Sequence, residues 1–210
     1  MHRVTCVAAV AALLGACSNA GGPTAPSALD VAGGISTVGS AAGESPTATT
    51  ASTAAPSPTA ANYEQKFMTG MIDHHQMAVE MAQVCLSKAV HDELRQMCES
   101  IIAAQSREIQ QMQRWLRDWY AVSYSPQMDN RAERDIARLS AASGAEFEIM
   151  FMEMMIQHHR AAVEEGETCL TRAYHRQLIR LCENIIATQS AEIAQMEEWL
   201  CQWYGRCATT

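Results

Sequence analysis

Positively charged side chains are scarce in this sequence. Its 210 residues contain 15 Lys and Arg against 23 Asp and Glu, which gives a formal net charge of -8. Nucleic acid and anionic lipid surfaces attract basic proteins, so this balance argues against both as partners. What the chain does have is a hydrophobic fraction of 48%, which is enough apolar surface for a core beneath an acidic, solvated exterior.

A long segment near the N-terminus lacks the residues that build a core. Residues 18–61 contain no lysine or arginine and few large apolar side chains, and consist mainly of Ala, Ser, Thr, Gly and Pro. Such a segment cannot bury enough apolar surface to offset the entropy lost on ordering. We therefore expect residues 17–61 to form a disordered tether ahead of a folded domain over residues 62–207.

The first residues resemble a secretion signal. A basic start at Arg3 is followed by an apolar run that is too short to span a bilayer. The run closes with the letters LGAC at residues 14–17, which resemble a bacterial lipobox. We predict a lipoprotein signal peptide over residues 1–16 and lipidation of Cys17. The product would be exported and anchored through lipid, facing the periplasm or the cell exterior. An ordinary secretory signal with a chance cysteine is the alternative, and it also predicts export.

The rest of the chain is an internal duplication. Residues 63–120 align with residues 147–204 at a constant offset of 84 and without a gap, and 30 of the 58 aligned positions are identical. The segment FMTGMIDHHQMAVEMA in the first copy returns as FMEMMIQHHRAAVEEG in the second. A unit that is repeated in this way usually buries its apolar face against its own copy.

Each copy has the pattern of two helices. Apolar residues recur at helical spacing over about residues 62–86 and 92–120 of the first copy, and the segment between them is short. Each copy is therefore expected to form an antiparallel hairpin, and two hairpins together make an all-α four-helix bundle. Residues 121–146 between the copies include a predicted short helix closed by Gly144. A connection of this length favours a long crossover.

The cysteines suggest an oxidising compartment. Of the eight, Cys6 belongs to the signal peptide and Cys17 to the lipid site, which leaves six in the folded domain. Two flank the loop of each hairpin and two lie near the end of the last helix. The alternative, thiolate metal ligands, is disfavoured because the hairpin tips lie far from the His-His pairs. We predict three disulfide bonds: Cys85–Cys98, Cys169–Cys182 and Cys201–Cys207.

Methionine and histidine alternate on one helical stripe. Met68, Met71 and His75 follow each other at spacings of three and four residues and share a face, whereas His74 points about 100° away. Thioether sulfur favours Cu(I) and Ag(I), and imidazole is a compatible ligand. Bundles hold metals between facing helices, so we predict a site for monovalent copper or silver at the bundle centre. The candidate ligands from both copies are Met68, Met71, His74, His75, Met152, Met155, His158 and His159.

Residues 71–78 and 155–162 have the form M-I-x-H-H-x-x-A. With the Q-x-x-E-I-x-x-M segments at 105–112 and 189–196 and the tryptophans after them, they resemble the domain of unknown function 305 family. The resemblance covers about residues 62–204. It implies a ferritin-like bundle and, as in some periplasmic members, copper or silver binding through Met and His. One departure is that Met77 and Met81 of the first copy become Ala161 and Glu165 in the second.

Two other functions stay open. A methionine stripe at helical spacing is often plain core, so one alternative is a metal-free structural or interaction module. The other is a ferritin-like di-iron enzyme. Such enzymes carry Glu-x-x-His on two of their helices, and no such sequence occurs in this chain. We therefore expect no enzymatic activity.

The sequence also predicts the exposure or the hydrogen-bond partners of several other repeated polar residues. We expect His91 and His175, at the hairpin tips, to be exposed or to cap helices. The glutamines of the two copies are candidate hydrogen-bond partners for the histidines, and the repeated glutamates are expected on solvated faces. These residues are Gln105 and Gln189, and Glu80, Glu108, Glu164 and Glu192.

Overall fold

A computed structural model describes residues 55–207. The described chain forms five helices: α1 (Pro58–Lys88), α2 (Asp92–Tyr120), α3 (Asn130–Ala141), α4 (Gly144–Arg172) and α5 (Arg176–Tyr204). Within these residues no helix combines the length and the apolarity needed to cross a membrane. The predicted signal peptide, the lipid site at Cys17 and most of the tether lie outside the described residues.

The first helix begins earlier than the sequence suggests. The hydroxyl of Ser57 accepts a hydrogen bond from the backbone N–H of Ala60 at 3.2 Å, and Pro58 occupies the first turn. Both features favour a helix start. Residues 58–61, predicted as the end of the tether, therefore belong to α1, while α2 has the predicted bounds.

Two hairpins make up the bundle, as predicted from the duplication. Three-residue loops join α1 to α2 and α4 to α5, and the hairpins meet mainly along α1 and α4. Each hairpin is closed by a disulfide bond near its loop, and a third bond lies at the end of α5. The pairs are those predicted: Cys85–Cys98, Cys169–Cys182 and Cys201–Cys207. The expected all-α, four-helix fold is confirmed.

The crossover carries α3, which packs against α1 and α4. The carboxylate of Asp129 accepts hydrogen bonds from the backbone N–H groups of Arg131 and Ala132 at 2.9 and 2.8 Å, which starts this helix. The prediction that Gly144 closes α3 is wrong. The helix ends at Ala141, and Gly144 begins α4 with a φ of 56°, a left-handed conformation that glycine adopts without strain.

The apolar core is divided into two clusters. One contains Met152, Met155 and Met196 together with Leu139 of α3, and the other contains Met68, Met71 and Met112. Buried polar side chains lie near the middle of the four long helices: His75, Gln105, His159 and Gln189.

Candidate metal centre

The two fully buried histidines are each held by a glutamate of the neighbouring helix. The Nε2 of His75 lies 2.8 Å from Oε2 of Glu108, and the Nε2 of His159 lies 2.8 Å from Oε2 of Glu192. A carboxylate only accepts hydrogen bonds, so Nε2 carries the proton and Nδ1 keeps its lone pair. The glutamate fixes the tautomer as it does for many metal-binding histidines.

The residues that hold the histidines are not those expected. Gln105 and Gln189 are buried, but their side-chain amides have no hydrogen-bond partner, so the prediction that they bind the histidines is wrong. Glu108 and Glu192 were expected on solvated faces. Their side chains are instead only 19% and 14% exposed, because they bond to the buried rings.

The other two histidines stack on each other between the hairpins. The ring centroids of His74 and His158 are 3.6 Å apart. The Nε2–H of His158 donates to the backbone carbonyl oxygen of His74 at 2.9 Å, which leaves Nδ1 of His158 as its acceptor atom. Each of these rings also lies near the buried histidine of its own helix, at centroid distances of 6.3 and 6.1 Å.

Burial keeps the stacked histidines uncharged. It lowers the pKa of His74 to about 3, with a further contribution from the neighbouring His75 and His159. Burial and the neighbouring histidines also hold the pKa of His158 well below its usual value. A neutral imidazole is the form that binds metals, so protons compete weakly for these two rings.

All four histidines leave the same atom without a partner. The Nδ1 atoms of His74, His75, His158 and His159 are buried and make no hydrogen bond. A buried polar atom without a partner is uncommon in folded proteins and commonly marks a bound water or ion. Four such atoms of one type at the meeting point of two repeats fit a ligand that accepts electron pairs.

The candidate methionines do not gather into one group. Met68 and Met71 pack in one core cluster, and Met152 and Met155 pack in the other. The prediction that the two methionine sets meet in the middle of the bundle is therefore wrong, because α1 and α4 run antiparallel, with the start of each helix near the end of the other, and the two sets lie on opposite sides of the histidines. The histidines come together, and each pair has its own methionines on one side.

Two further methionines belong to these sets and were missed from the sequence. The disulfide bond Cys85–Cys98 and the contact between His75 and Glu108 share one antiparallel register, which places Met71 opposite Met112. The same register in the second hairpin places Met155 opposite Met196. Met112 and Met196 are fully buried. Because the predicted disulfide bonds already set this register, the positions of Met112 and Met196 could have been predicted from the sequence.

In the described part of the chain, no group of three or more His, Cys, Asp or Glu side chains is arranged to hold a metal ion. A metal site at the centre therefore relies on imidazole pairs together with methionine sulfur. That donor set is one that soft monovalent ions accept.

A second buried polar group lies at each end of the bundle, and its partners were not predicted from the sequence. Glu64 on α1 accepts hydrogen bonds from Tyr120, from the backbone N–H groups of Tyr174 and His175 at 2.7 and 2.8 Å, and from Nδ1 of His175 at 2.6 Å. The His175 ring stacks on Trp119 with centroids 3.9 Å apart.

Glu148 repeats this arrangement at the other end with Val90, His91, Trp203 and Tyr204. His91 and His175 do occupy N-cap positions. They were expected to be exposed or capping, and the finding is that their side chains bind the carboxylates of the opposite hairpin. These contacts tie each hairpin loop to the second turn of the first helix of the other hairpin.

Comparison with known proteins identifies a family and solved structures that this chain resembles. The family model described as domain of unknown function (DUF305) matches residues 64–200. CopM in its Cu(I)-bound form is 34% identical, with a TM-score of 0.62, over 68% of this chain and 98% of that chain. CopM in its Ag-bound form, obtained by co-crystallization, is 37% identical, with a TM-score of 0.60, over the same shares.

A DUF305 protein from Streptomyces coelicolor that is described as secreted is 26% identical. It matches with a TM-score of 0.60 over 67% of this chain and 91% of its own. No curated protein matches the chain. The family match spans more than half of the sequence and includes both His-His motifs, so the chain belongs to the DUF305 family.

Proposed function

We propose that this protein is an exported lipoprotein that binds monovalent copper or silver at the centre of the bundle and buffers it outside the cytoplasm. The observation that carries the proposal is the set of four buried Nδ1 atoms without partners, on His74, His75, His158 and His159. The hydrogen bonds at Nε2 leave Nδ1 of His75, His158 and His159 with a free lone pair. In an apolar interior an unpaired polar atom costs free energy unless a ligand takes it up.

The hydrogen bonds of the histidines support this role. Glu108 and Glu192 hold the proton of His75 and His159 on Nε2, so Nδ1 faces the interior as a base. A carboxylate behind an imidazole also raises the basicity of the opposite nitrogen. These hydrogen bonds thus orient the candidate ligand atoms before the ion binds.

Methionine supplies the softer part of the donor set. Met71 precedes His75 by one helical turn, and Met155 precedes His159 in the same way. Their thioethers carry no proton, so binding releases none, and they favour Cu(I) and Ag(I) over harder ions. Each hairpin then offers one Met-His set, with Met112 or Met196 facing it from the neighbouring helix and Met68 or Met152 one turn further along.

Relatives support the choice of ion and compartment. CopM has been solved in Cu(I)-bound, Ag-bound and Cu(II)-bound forms. A relative that is described as secreted and three disulfide bonds agree with export. The lipid anchor at Cys17 rests on the lipobox alone. We expect a Cys17→Ser variant to leave the membrane fraction or to fail in maturation, and a variant that stays membrane-bound would contradict the anchor.

The metal-free module is the competing function. The methionines Met68, Met71, Met152 and Met155 are at most 4% exposed, which plain core residues would also be. Catalysis is not part of this proposal, because the role assigned to the bundle needs only reversible binding of the ion.

A competition titration separates the two functions. Replacing Met71 and Met155 together by Leu keeps volume and apolarity, so unfolding should become easier by less than about 1.5 kcal/mol per site. The affinity for Cu(I), measured against a Cu(I) chelator, should fall by at least about tenfold. The matched control is the variant Met81→Leu/Met97→Leu, whose two methionines pack near the Cys85–Cys98 bond. This control should keep the chelator titration curve of the wild type. Equal chelator curves for all three proteins would show that Met71 and Met155 are core only.

A further inference from the structure

A groove of about 1030 Å³ opens between α1, α4 and the crossover. The stacked residues His74 and His158 line it, and its apolar lining consists of four methionines and two alanines. The methionines are Met77 from α1, Met128 from the crossover, and Met150 and Met154 from α4. All four are half-buried, in contrast to the fully enclosed methionines of the core.

Three of the lining residues form a straight stripe on α4. Met150, Met154 and His158 follow each other at spacings of four residues, so their side chains lie one above the other on one face. The Nδ1 of His158 at the end of this stripe has no hydrogen-bond partner. The stripe leads from the outer part of the groove to the histidines at the bundle centre.

The first repeat does not contain this stripe. Lys66 and Gly70 stand at the positions of Met150 and Met154. The methionines therefore occur only on the side that α3 covers, where the crossover breaks the symmetry of the two hairpins. A methionine that serves as a gap-filler closes the space around it, whereas these side chains border an open groove.

The charges around the groove favour a cation. Its carboxylates are Asp73, Asp129, Asp135 and Glu153, against the guanidinium groups of Arg131 and Arg138 in the lining and that of Arg206, which pairs with Glu153, so one negative charge remains in excess. The Arg138 guanidinium also lies 4.0 Å from Sδ of Met154, a weak contact that a bound ion would replace. Local negative charge raises the concentration of cations at such an opening.

One of these carboxylates holds the crossover beside the groove through hydrogen bonds. Asp73 accepts hydrogen bonds from the Tyr124 hydroxyl at 2.6 Å and from the backbone N–H of Gln127 at 2.7 Å. These bonds hold the segment that contributes Met128.

We propose that this groove is a second binding site for a soft monovalent metal ion, with the thioethers of Met77, Met150 and Met154 as ligands and His158 as its link to the central histidines. The identity of the ion rests on the proposed function, whereas the ligands rest on the groove itself. Copper or silver ions would first meet the half-exposed thioethers and reach the buried Nδ1 atoms from there.

Nuclear magnetic resonance of protein labelled with ¹³C at the methionine methyl groups tests this site, because each thioether reports separately. Resonances are assigned with single Met→Leu variants, and Ag(I) is the probe because it is redox-inert. We expect the methyl signals of Met77, Met150 and Met154 to shift on silver addition. A Met150→Leu/Met154→Leu variant should bind one silver equivalent fewer while its core signals still respond.

The matched variant Met71→Leu/Met155→Leu distinguishes the two proposals. It should lose the central response and keep the groove response. Groove signals that stay unchanged while those of Met71 and Met155 shift would overturn the second site and leave the proposed function intact. Groove signals that shift alone would overturn the proposed central site. If no methionine methyl signal shifts on silver addition, both the groove site and the central site are overturned.

Discussion

His158 donates its Nε2–H to the backbone carbonyl oxygen of His74 at 2.9 Å, although the two residues occupy equivalent positions in the two repeats. Only one of two equivalent residues makes this bond, so the approximate two-fold symmetry is broken at the centre of the bundle. His158 has a fixed tautomer, whereas the same constraint does not act on His74. The two histidines should therefore differ in substitution experiments despite their identical sequence context.

The stacked histidines predict how stability of the metal-free protein depends on pH. Burial, then the neighbouring His75 and His159, lowers the pKa of His74 to about 3, and the pKa of His158 is also lowered. In the unfolded chain both rings take up protons near pH 6.5. The unfolded state thus binds more protons, and stability falls as the pH drops below about 6.5, by up to about 1.4 kcal/mol per pH unit for each ring.

Urea unfolding between pH 7.5 and 5 measures this dependence. That range lies above the one in which the carboxyls of Glu64 and Glu148 titrate, because the hydrogen bonds they accept outweigh the effect of burial and lower the pKa of both. A His74→Gln/His158→Gln variant should show a flatter profile. Parallel profiles for the variant and the wild type would mean that other groups control the acid sensitivity.

The glutamates behind the buried histidines should control metal affinity. An amide in place of the carboxylate of Glu108 or Glu192 no longer fixes the proton on Nε2, because it can donate as well as accept. We expect Glu108→Gln/Glu192→Gln to lower silver affinity by about 10- to 100-fold. Glu80 and Glu164 are also repeated but do not contact a histidine, so Glu80→Gln/Glu164→Gln is the matched control. Isothermal titration with Ag(I) gives both affinities, and an equal loss in the two variants would argue against a specific role.

The buried carboxylates at the bundle ends should control stability instead. Glu64 accepts four hydrogen bonds, including two from His175 of the other hairpin. Hydrogen bonds to a charged group contribute about 1.5–3 kcal/mol each, so Glu64→Gln should lower the free energy of unfolding by at least that amount. Glu148→Gln should have a similar effect because it repeats the arrangement. Thermal melts measure the change, and silver affinity of the folded variants should stay at the wild-type value. A melting temperature equal to that of the wild type would contradict this role.

The duplication explains why much of the fold was predictable. Helical spacing and the short loops gave the hairpins, and the cysteines near each loop gave the disulfide bonds. The partners of the histidines were assigned wrongly, since spacing along one helix shows which residues share a face but not which residue of the next helix lies opposite. The Cys85–Cys98 pair sets that register, and applied to His75 it points to Glu108 rather than to Gln105.

Other features depend on how the hairpins meet. The stacking of His74 on His158 and the groove beside them follow from the packing of α1 against α4 and from the position of α3. No pattern within one helix contains that information. The antiparallel packing of α1 and α4 places Met68 and Met71 on the opposite side of the histidines from Met152 and Met155, which the repeat alone had suggested would meet.

The most direct test of metal binding at the bundle centre is nuclear magnetic resonance of protein labelled with ¹⁵N at histidine, before and after addition of Ag(I). Silver has spin-½ nuclei, so a bound nitrogen is split by coupling to the metal. We predict splitting at Nδ1 of His75 and His159, with Nε2 of both rings still protonated and bonded to Glu108 and Glu192. His91 and His175, at the bundle ends, are internal controls and should not change. Histidine spectra that stay the same when the protein is saturated with silver, or splitting at Nε2 instead, would contradict the account.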